Sequence, residues 1–275
     1  MRILFIGDVF GRAGRTLVRQ GLPAIAARHG IDAVIANVEN AASGAGITRE
    51  TGDALLKAGV DVMTTGNHVW DKREALSYIG AEPRLLRPLN MSAAAPGRGA
   101  YVARLADGRP LGVINVMGRV FMPPVDNPFD AVAAAVDRLS RECRVIVVDM
   151  HAEATAEKIA MGWHLDGRVA AVIGTHTHVQ TADARILPGG TAYITDAGMT
   201  GPHDSIIGMA RAEILAKFVT GLPARMEPAE ENPRLQAVVV DADDRTGRAR
   251  DIIRLDWSQQ DIIDARRAGD DEHPL

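Results

Sequence analysis

A chain of 275 residues, 47% of them hydrophobic and 24% charged, has ordinary globular composition and length enough to bury a full core. With 31 Lys and Arg against 35 Asp and Glu, a formal net charge of −4, and only 4% aromatics, it lacks both a broad basic surface and base-stacking platforms for nucleic acid. The lone Cys143 excludes an internal disulfide, and no apolar stretch approaches the ~18 residues of a membrane-spanning helix.

The opening "MRILFIGDVFGR" lacks the long apolar region and small-residue cleavage site of a secretory signal, so it reads as a first strand and the protein as cytoplasmic. Residues 2–7 form that strand, and "RTLVRQGLPAIAARHG" (15–30) carries helical periodicity around a kink at Pro23. A strand at 33–37, a helix near 48–58, a strand at 61–66 and a short helix after Trp70 follow. The middle, 84–120, is richer in short strands: "AYVARL" and "LGVINVMG" flank the turn signal Asp107-Gly108. A helix at 127–141 leads to "RVIVVDM", which Cys143 enters as a small buried hydrophobe; a helix near 155–162 and "VAAVIG" come next. Residues 191–197, 234–241 and 248–256 are further strands, with a helix at 209–220 between the first two. The polar last stretch, about 260–275, is expected to fray. No repeat or low-complexity linker divides the chain, and one domain over 1–275 is expected.

Continuous apolar runs separated by helices define an α/β protein whose sheet is buried on both faces, with mostly parallel strands in the first half. In such sheets ligands gather at the carboxyl ends of the strands. Asp8 follows the first run, Glu39 and Asn40 the second, Asn67 and His68 the third, His151 the next, and His176 and His178 the one after. Five apolar runs thus each end in an oxygen or nitrogen donor able to bind metal. In extended backbone, residues i and i+2 project to one side about 6–7 Å apart, so His176 and His178 can address two ions, and paired catalytic metals lie ~3.5–4 Å apart. Glu39, with two oxygens, is the natural bridge between them.

Each residue alone has a plainer reading. Asp8 can be a helix N-cap, Glu39 a surface carboxylate, Asn67-His68 a turn and His151 a structural histidine. Their joint occurrence, each after its own apolar run, favours metal. His29 suits a helix C-terminus, His164 and His203 sit in Gly/Pro-rich loops that could lip the site, and Arg12 and Arg15 could meet a phosphate or simply be solvated. Gly7, Gly11 and Gly14 do not match a dinucleotide fingerprint.

"GNH" (66–68), a lone downstream His151 and "GTHTH" (174–178) resemble the ordered blocks of the calcineurin-like metallophosphoesterases. More narrowly, "GDVFGRAGR", "NVENAASGAGIT", "GNHVWD", "HAEATAEK", "GTHTHVQTAD" and "DAGMTGPHDSIIG" resemble the YmdB-type bacterial subfamily, from residue 3 to about 256. The resemblance implies a four-layer α-β-β-α sandwich with mixed sheets, a dinuclear metal centre and hydrolysis of phosphodiesters, with 2′,3′-cyclic nucleotides as the characteristic small-molecule substrate. It implies Asp8 and His178, with Asn40 close by, around a first ion; Asn67, His151 and His176 around a second; Glu39 as bridge; and His68 as the catalytic histidine. A bridging hydroxide would attack phosphorus while His68 acts as general acid. "DVF" places Phe10 where the broad superfamily has a histidine, and "NVEN" replaces its Gly-Asp-x-x-Asp block; both departures are shared with the subfamily. Imidazole, carboxylate and amide ligands suit iron, manganese or zinc, and the resemblance favours iron or manganese. A phosphomonoesterase, or a regulatory or RNA-binding protein with a structural metal, are the alternative readings, and a homo-oligomer is compatible with all of them.

Overall fold

The computed structural model describes residues 1–272, which carry two mixed β-sheets and seven helices among the described residues. In the first sheet β1 (Arg2–Ile6) pairs in parallel with β3 (Ala33–Asn37), which pairs in parallel with β4 (Val62–Thr64). On its other side β1 meets β12 (Pro233–Ala242) antiparallel, β12 meets β13 (Ala249–Ser258), and β11 (Met199–Pro202) joins β12 to the two-residue β2 (Asp8–Val9). The second sheet runs β5-β6-β7-β8-β10-β9. Its centre is parallel: β6 (Pro110–Met117), β7 (Ile146–His151), β8 (Ala171–Thr175) and β10 (Ala192–Ile194). The edges β5 (Ala100–Arg104) and β9 (Arg185–Ile186) are antiparallel to it.

The two-residue period of the strands sorts their side chains between faces. Ile3 and Phe5 of β1, with Ala33 and Ile35 of β3, join Val113, Val147, Ile173 and Ile194 of the other sheet in one buried cluster. Their neighbours Leu4, Ile6, Val34 and Ala36 pack on Leu17, Val18 and Ile25 of α1 (Gly11–His29) and Leu55 of α2 (Arg49–Lys57). Ile114, Val148 and Val172 of the second sheet pack on Val132 and Val136 of α4 (Pro128–Leu139) and Met161 of α5 (Thr155–His164). Each fully buried Ile, Leu or Val contributes about 1.5–3 kcal/mol, which is why both sheets read as near-continuous apolar runs.

Helix boundaries follow recognisable signals. Thr48 and Thr51 form a capping box at the start of α2, and α4 starts with Asn127 accepting from the Phe129 N–H and Pro128 at the first position. α3 (Ala75–Ala81) and α6 (Arg211–Thr220) fall where periodicity predicts them. Helix α1 differs: it starts at Gly11, and Pro23 sits inside it without ending it. Three short strands, β2, β9 and β11, carry too few residues for a pattern to show.

The expected frayed tail is corrected in part. Residues Gln259–Glu272 form α7, because Ile262, 1% exposed, and Ala265 pack into the α1 side of the core. Ile262 lies against Gly21 of α1, where a side chain would collide with it. The last residues of that tail, 273–275, lie outside the described ones.

Candidate metal centre

Both sheets bring the carboxyl ends of their parallel strands to one rim. Asn37 at the end of β3 donates to Asp149 of β7 across the gap at 3.0 Å, and Thr64 at the end of β4 donates to the same carboxylate at 2.5 Å. Just beyond lies Glu39, fully buried, and the donors named by the sequence collect around it. His151 Nε2 is 3.1 Å from Glu39 Oε1 and 3.1 Å from Asn67 Oδ1. Glu39, His151 and His176 each place a ligand atom within 4.8 Å of the others, and the His151 and His176 rings meet edge-on with centroids 4.8 Å apart. Asn40 Nδ2 is 3.5 Å from Glu39 Oε1 and 3.0 Å from His178 Nε2, which stands 3.8 Å from Asp8 Oδ1. The backbone N–H of His68 donates to Glu39 Oε2 at 3.0 Å. All eight sequence-derived residues therefore form one connected cluster.

Local backbone makes this crowding possible. Gly66 lets Asn67 turn back over the rim: a Cβ there would overlap the His151 imidazole and the Glu39 carboxylate. Asp8 is not the cap of α1; Phe10 holds that position without a side-chain bond. Asp8 instead sits in β2 beside Met199 of β11, fully buried, with Oδ2 accepting from the His176 N–H at 3.1 Å. Phe10, where the broad superfamily has a histidine, packs edge-on against His178 with ring centroids 5.8 Å apart. His176 and His178 do not lie on extended backbone, as the spacing argument assumed. Their φ angles are 101° and 63°, a left-handed turn that swings His176 towards Glu39 and His178 towards Asp8. His176 Nε2 also meets Glu153 Oε2 at 3.1 Å.

Protonation fits a cation-binding role. Burial, reinforced by the neighbouring His151, pushes His176 down to about 3, and burial also lowers His178, so both rings are neutral at physiological pH, the form that can bind a cation. Burial raises Asp8 well above the usual carboxylate range, and its Oδ1 has no hydrogen-bond partner. A buried carboxylate oxygen left without a donor is expensive, and a cation resolves it. Burial opposes charge on His151, but Glu39, Asp8 and Asp149 outweigh it and raise the ring to about 9, while His151 in turn holds Glu39 below its ordinary value. The same negative field that binds this proton would bind a metal.

Behind the donors lies a layer the sequence did not announce. His151 Nδ1 meets Thr175 Oγ1 at 2.8 Å, and Thr175 donates to Asp149 Oδ1 at 2.6 Å. His178 Nδ1–H donates to the Ile207 carbonyl at 3.0 Å, which leaves Nε2 facing Asp8 and Asn40. Histidines tied at one nitrogen and free at the other are the arrangement metal ligands use. Asn37 and Asp149 each stand two residues before a candidate ligand, Glu39 and His151, and a polar residue inside an apolar run at that offset was the available signal. Of the lesser candidates, Arg15 donates to the Ala41 carbonyl, His203 faces the Met199 carbonyl at 3.1 Å, and His164 packs edge-on on Phe129. His29 packs near Trp257, and Arg12 lines a surface groove with Gln20 and Gln259. These five residues take structural or surface positions outside the cluster.

The family model described as YmdB-like protein matches residues 4–255. The chain belongs to the YmdB-like family. A Bacillus subtilis protein named 2′,3′-cyclic-nucleotide 2′-phosphodiesterase is 48% identical over 255 residues, 93% of this chain and 96% of that one. Among solved structures, a hypothetical protein from Thermus thermophilus is 43% identical with TM-score 0.86, covering 94% of this chain and 99% of that one. A structure described as a novel phosphatase from Mycoplasma pneumoniae is 33% identical with TM-score 0.87, covering 94% and 93%. Among the described residues, no helix is long and apolar enough to cross a membrane.

Proposed function

We propose that this member of the YmdB-like family is a dinuclear-metal phosphodiesterase that opens 2′,3′-cyclic nucleotides, within one four-layer α-β-β-α domain acting in the cytoplasm. The observation that carries it is the convergence of Glu39, His151 and His176 on one point beside a buried, unpartnered Asp8 oxygen. The donor set fits the group it would hold. Asp8, His178 and Asn40 would hold one ion and Asn67, His151 and His176 the other, with Glu39 shared between them; iron or manganese is the expected metal, with zinc also suited to these ligands. Two divalent ions so placed supply Lewis-acid polarisation of the phosphoryl oxygens and a water acidic enough to ionise near neutral pH.

The chain's own side chains do the rest. Asp8 and Glu39 offset two of four metal charges, leaving a positive field for a singly charged phosphodiester. His68 is half-exposed at the edge of the cluster, its Nδ1 held by Asp71 Oδ2 at 2.7 Å. That contact fixes the ring and leaves Nε2 to donate a proton to the departing ribose oxygen, a contribution of about 10²–10⁴-fold for general acids. The related Bacillus enzyme's name assigns the bond broken to the 2′ oxygen, so the expected product here is the nucleoside 3′-phosphate.

The test couples elemental analysis of protein purified without added metal to an assay that identifies which ester of a 2′,3′-cyclic nucleotide opens. Two ions per chain and a 3′-phosphate product are expected. Markedly fewer ions, or no cleavage with both sites filled, would overturn the reading. The similarity to a described phosphatase keeps a phosphomonoesterase as the second reading, and the ratio of kcat/KM for a diester and a monoester under one metal condition separates the two.

A further inference from the structure

Beneath the His-Thr-His turn lies a buried ion pair. Lys158 of α5 and Asp196, both wholly buried, meet at 2.8 Å between Nζ and Oδ2. The same Oδ2 accepts the Thr177 backbone N–H at 3.1 Å and the Thr177 hydroxyl at 2.6 Å. Oδ1 accepts the Gly198 N–H at 2.8 Å, and the Gly198 carbonyl accepts the Asp8 N–H at 3.0 Å. One carboxylate thus grips the residue between two histidines and, through the single residue Gly198, the segment that carries Asp8.

The turn needs such a grip. His176 and His178 both hold positive φ, a conformation ordinary side chains avoid unless their surroundings impose it. Three hydrogen bonds impose it here: the His176 N–H on Asp8, and the two Thr177 donors on Asp196. Lys158 sets its Nζ against the fully buried Asp196 carboxylate, which would be costly without a partner.

We infer that Asp196, neutralised by Lys158, is a positioning residue that sets His178 and Asp8 at the spacing required by one of the two ions. This rests on the dinuclear reading above. It gives the buried pair a task apart from holding the fold: without it the left-handed turn relaxes, and the Asp8–His178 ion weakens before the Glu39–His151–His176 ion does.

The probe is Mn(II) alone, titrated into metal-free protein and followed by calorimetry and electron paramagnetic resonance. Wild-type protein takes up two ions, with the signal of an exchange-coupled pair. Thr177→Val is isosteric but deletes the hydroxyl, and Asp196→Asn keeps the acceptor for Gly198 while setting an N–H₂ against the Thr177 donors. Both are expected to bind one ion about 10–100-fold more weakly, the loss typical of outer ligand partners. The coupled signal gives way to that of isolated Mn(II), and Thr177→Ser restores it. A merely structural role lowers the melting temperature and leaves both affinities and the coupled signal unchanged; that outcome overturns the inference. Should Asp196→Asn fail to fold, the Thr177 pair decides alone. Fewer than two ions in the wild-type protein overturns the dinuclear reading and this inference together, whereas two tight ions in every variant overturns only the inference.

Discussion

The two ends of the paired sheets are built on opposite terms. At the amino ends of the parallel strands, charge is placed at the surface, and a cluster of it is paired. Arg109 reaches Asp32 at 2.5 Å, Asp107 at 2.6 Å and Asp244 at 3.1 Å, and the terminal ammonium donates to the Ala242 carbonyl at 2.8 Å. A cleft of about 260 Å³ opens there among Arg109, Arg141, Arg144 and Asp244, but its walls carry no convergent buried donors. At the carboxyl ends, Asp8, Glu39, His151 and Asp149 are fully buried, two histidines are held in left-handed backbone, and one carboxylate oxygen has no partner. Stability is spread thinly over the first end and surrendered at the second. The contrast supports the proposed working end without reference to cavity size: wholly buried carboxylates and strained histidines gather at the carboxyl ends, as they do where a ligand is to repair them.

The comparison breaks most visibly with one methyl group. Gly66→Ala places a Cβ against the His151 imidazole and Glu39, whereas Gly108→Ala, in the turn before β6, meets nothing within 4 Å. Gly66→Ala is expected to remove metal and turnover together. Gly108→Ala, whose φ is 85°, should cost about 1–2 kcal/mol of stability and no activity. Metal content and melting temperature on the same samples check both. Glu39→Gln sharpens the point: it keeps shape and loses charge, and turnover should fall to background while the metal-free fold survives.

Next in size is the proposed proton donor. His68→Ala should lower kcat by about 10²–10⁴-fold with two ions still bound, because only its backbone N–H reaches Glu39. An active, metal-replete His68→Ala protein would remove this residue from the mechanism. Asp71→Asn should lower kcat less and leave KM nearly unchanged, since it disturbs only the orientation of the ring. Smaller again is the stability effect of chelation. Ligand present at about 100-fold its dissociation constant stabilises by about 2.7 kcal/mol, or roughly 5–10 °C for a chain of this size. A chelated sample that melts at the same temperature as the loaded one would deny that the carboxyl end waits for an ion.

Much of this was legible in the chain because a parallel strand announces its own end. The apolar runs 33–37 and 169–174 are long enough to be read as buried strands, and Glu39 and His176 stand two residues beyond them. What escaped notice did so for physical reasons. β11 is four residues with two glycine or proline positions, so no periodicity could reveal that it holds Asp8 in place. α7 looks polar because, among its described residues, a narrow stripe of Ile262 and Ala265 touches the core. Lys158 sits in a helix whose spacing gives no hint that its ammonium is wholly buried on Asp196, a residue almost forty positions away. Conversely, the spacing of His176 and His178 suggested divergent targets for a wrong reason. Extended backbone would have sent both rings one way, and the left-handed turn separates them.

The smallest expected effect belongs to the amino end and tests whether it is as plain as it looks. Asp32 lies below the usual carboxylate range: partial burial works the other way, but the Arg109 guanidinium and the Arg2 backbone N–H outweigh it. Its folded value is depressed below the unfolded value of about 3.9, so its stabilisation is complete above that pH and fades as pH falls through the folded value. The ion pairs are partly exposed, so Arg109→Met should cost no more than about 1 kcal/mol, a shift of a few degrees at neutral pH. That difference should shrink at about 1 M salt, where screening acts within ~3 Å, and vanish in acid as Asp32 is protonated. It should be the same with and without metal. A loss several times larger, or one that changed metal affinity, would mean that the two ends are coupled through the sheets, and the division of labour between them would have to be abandoned.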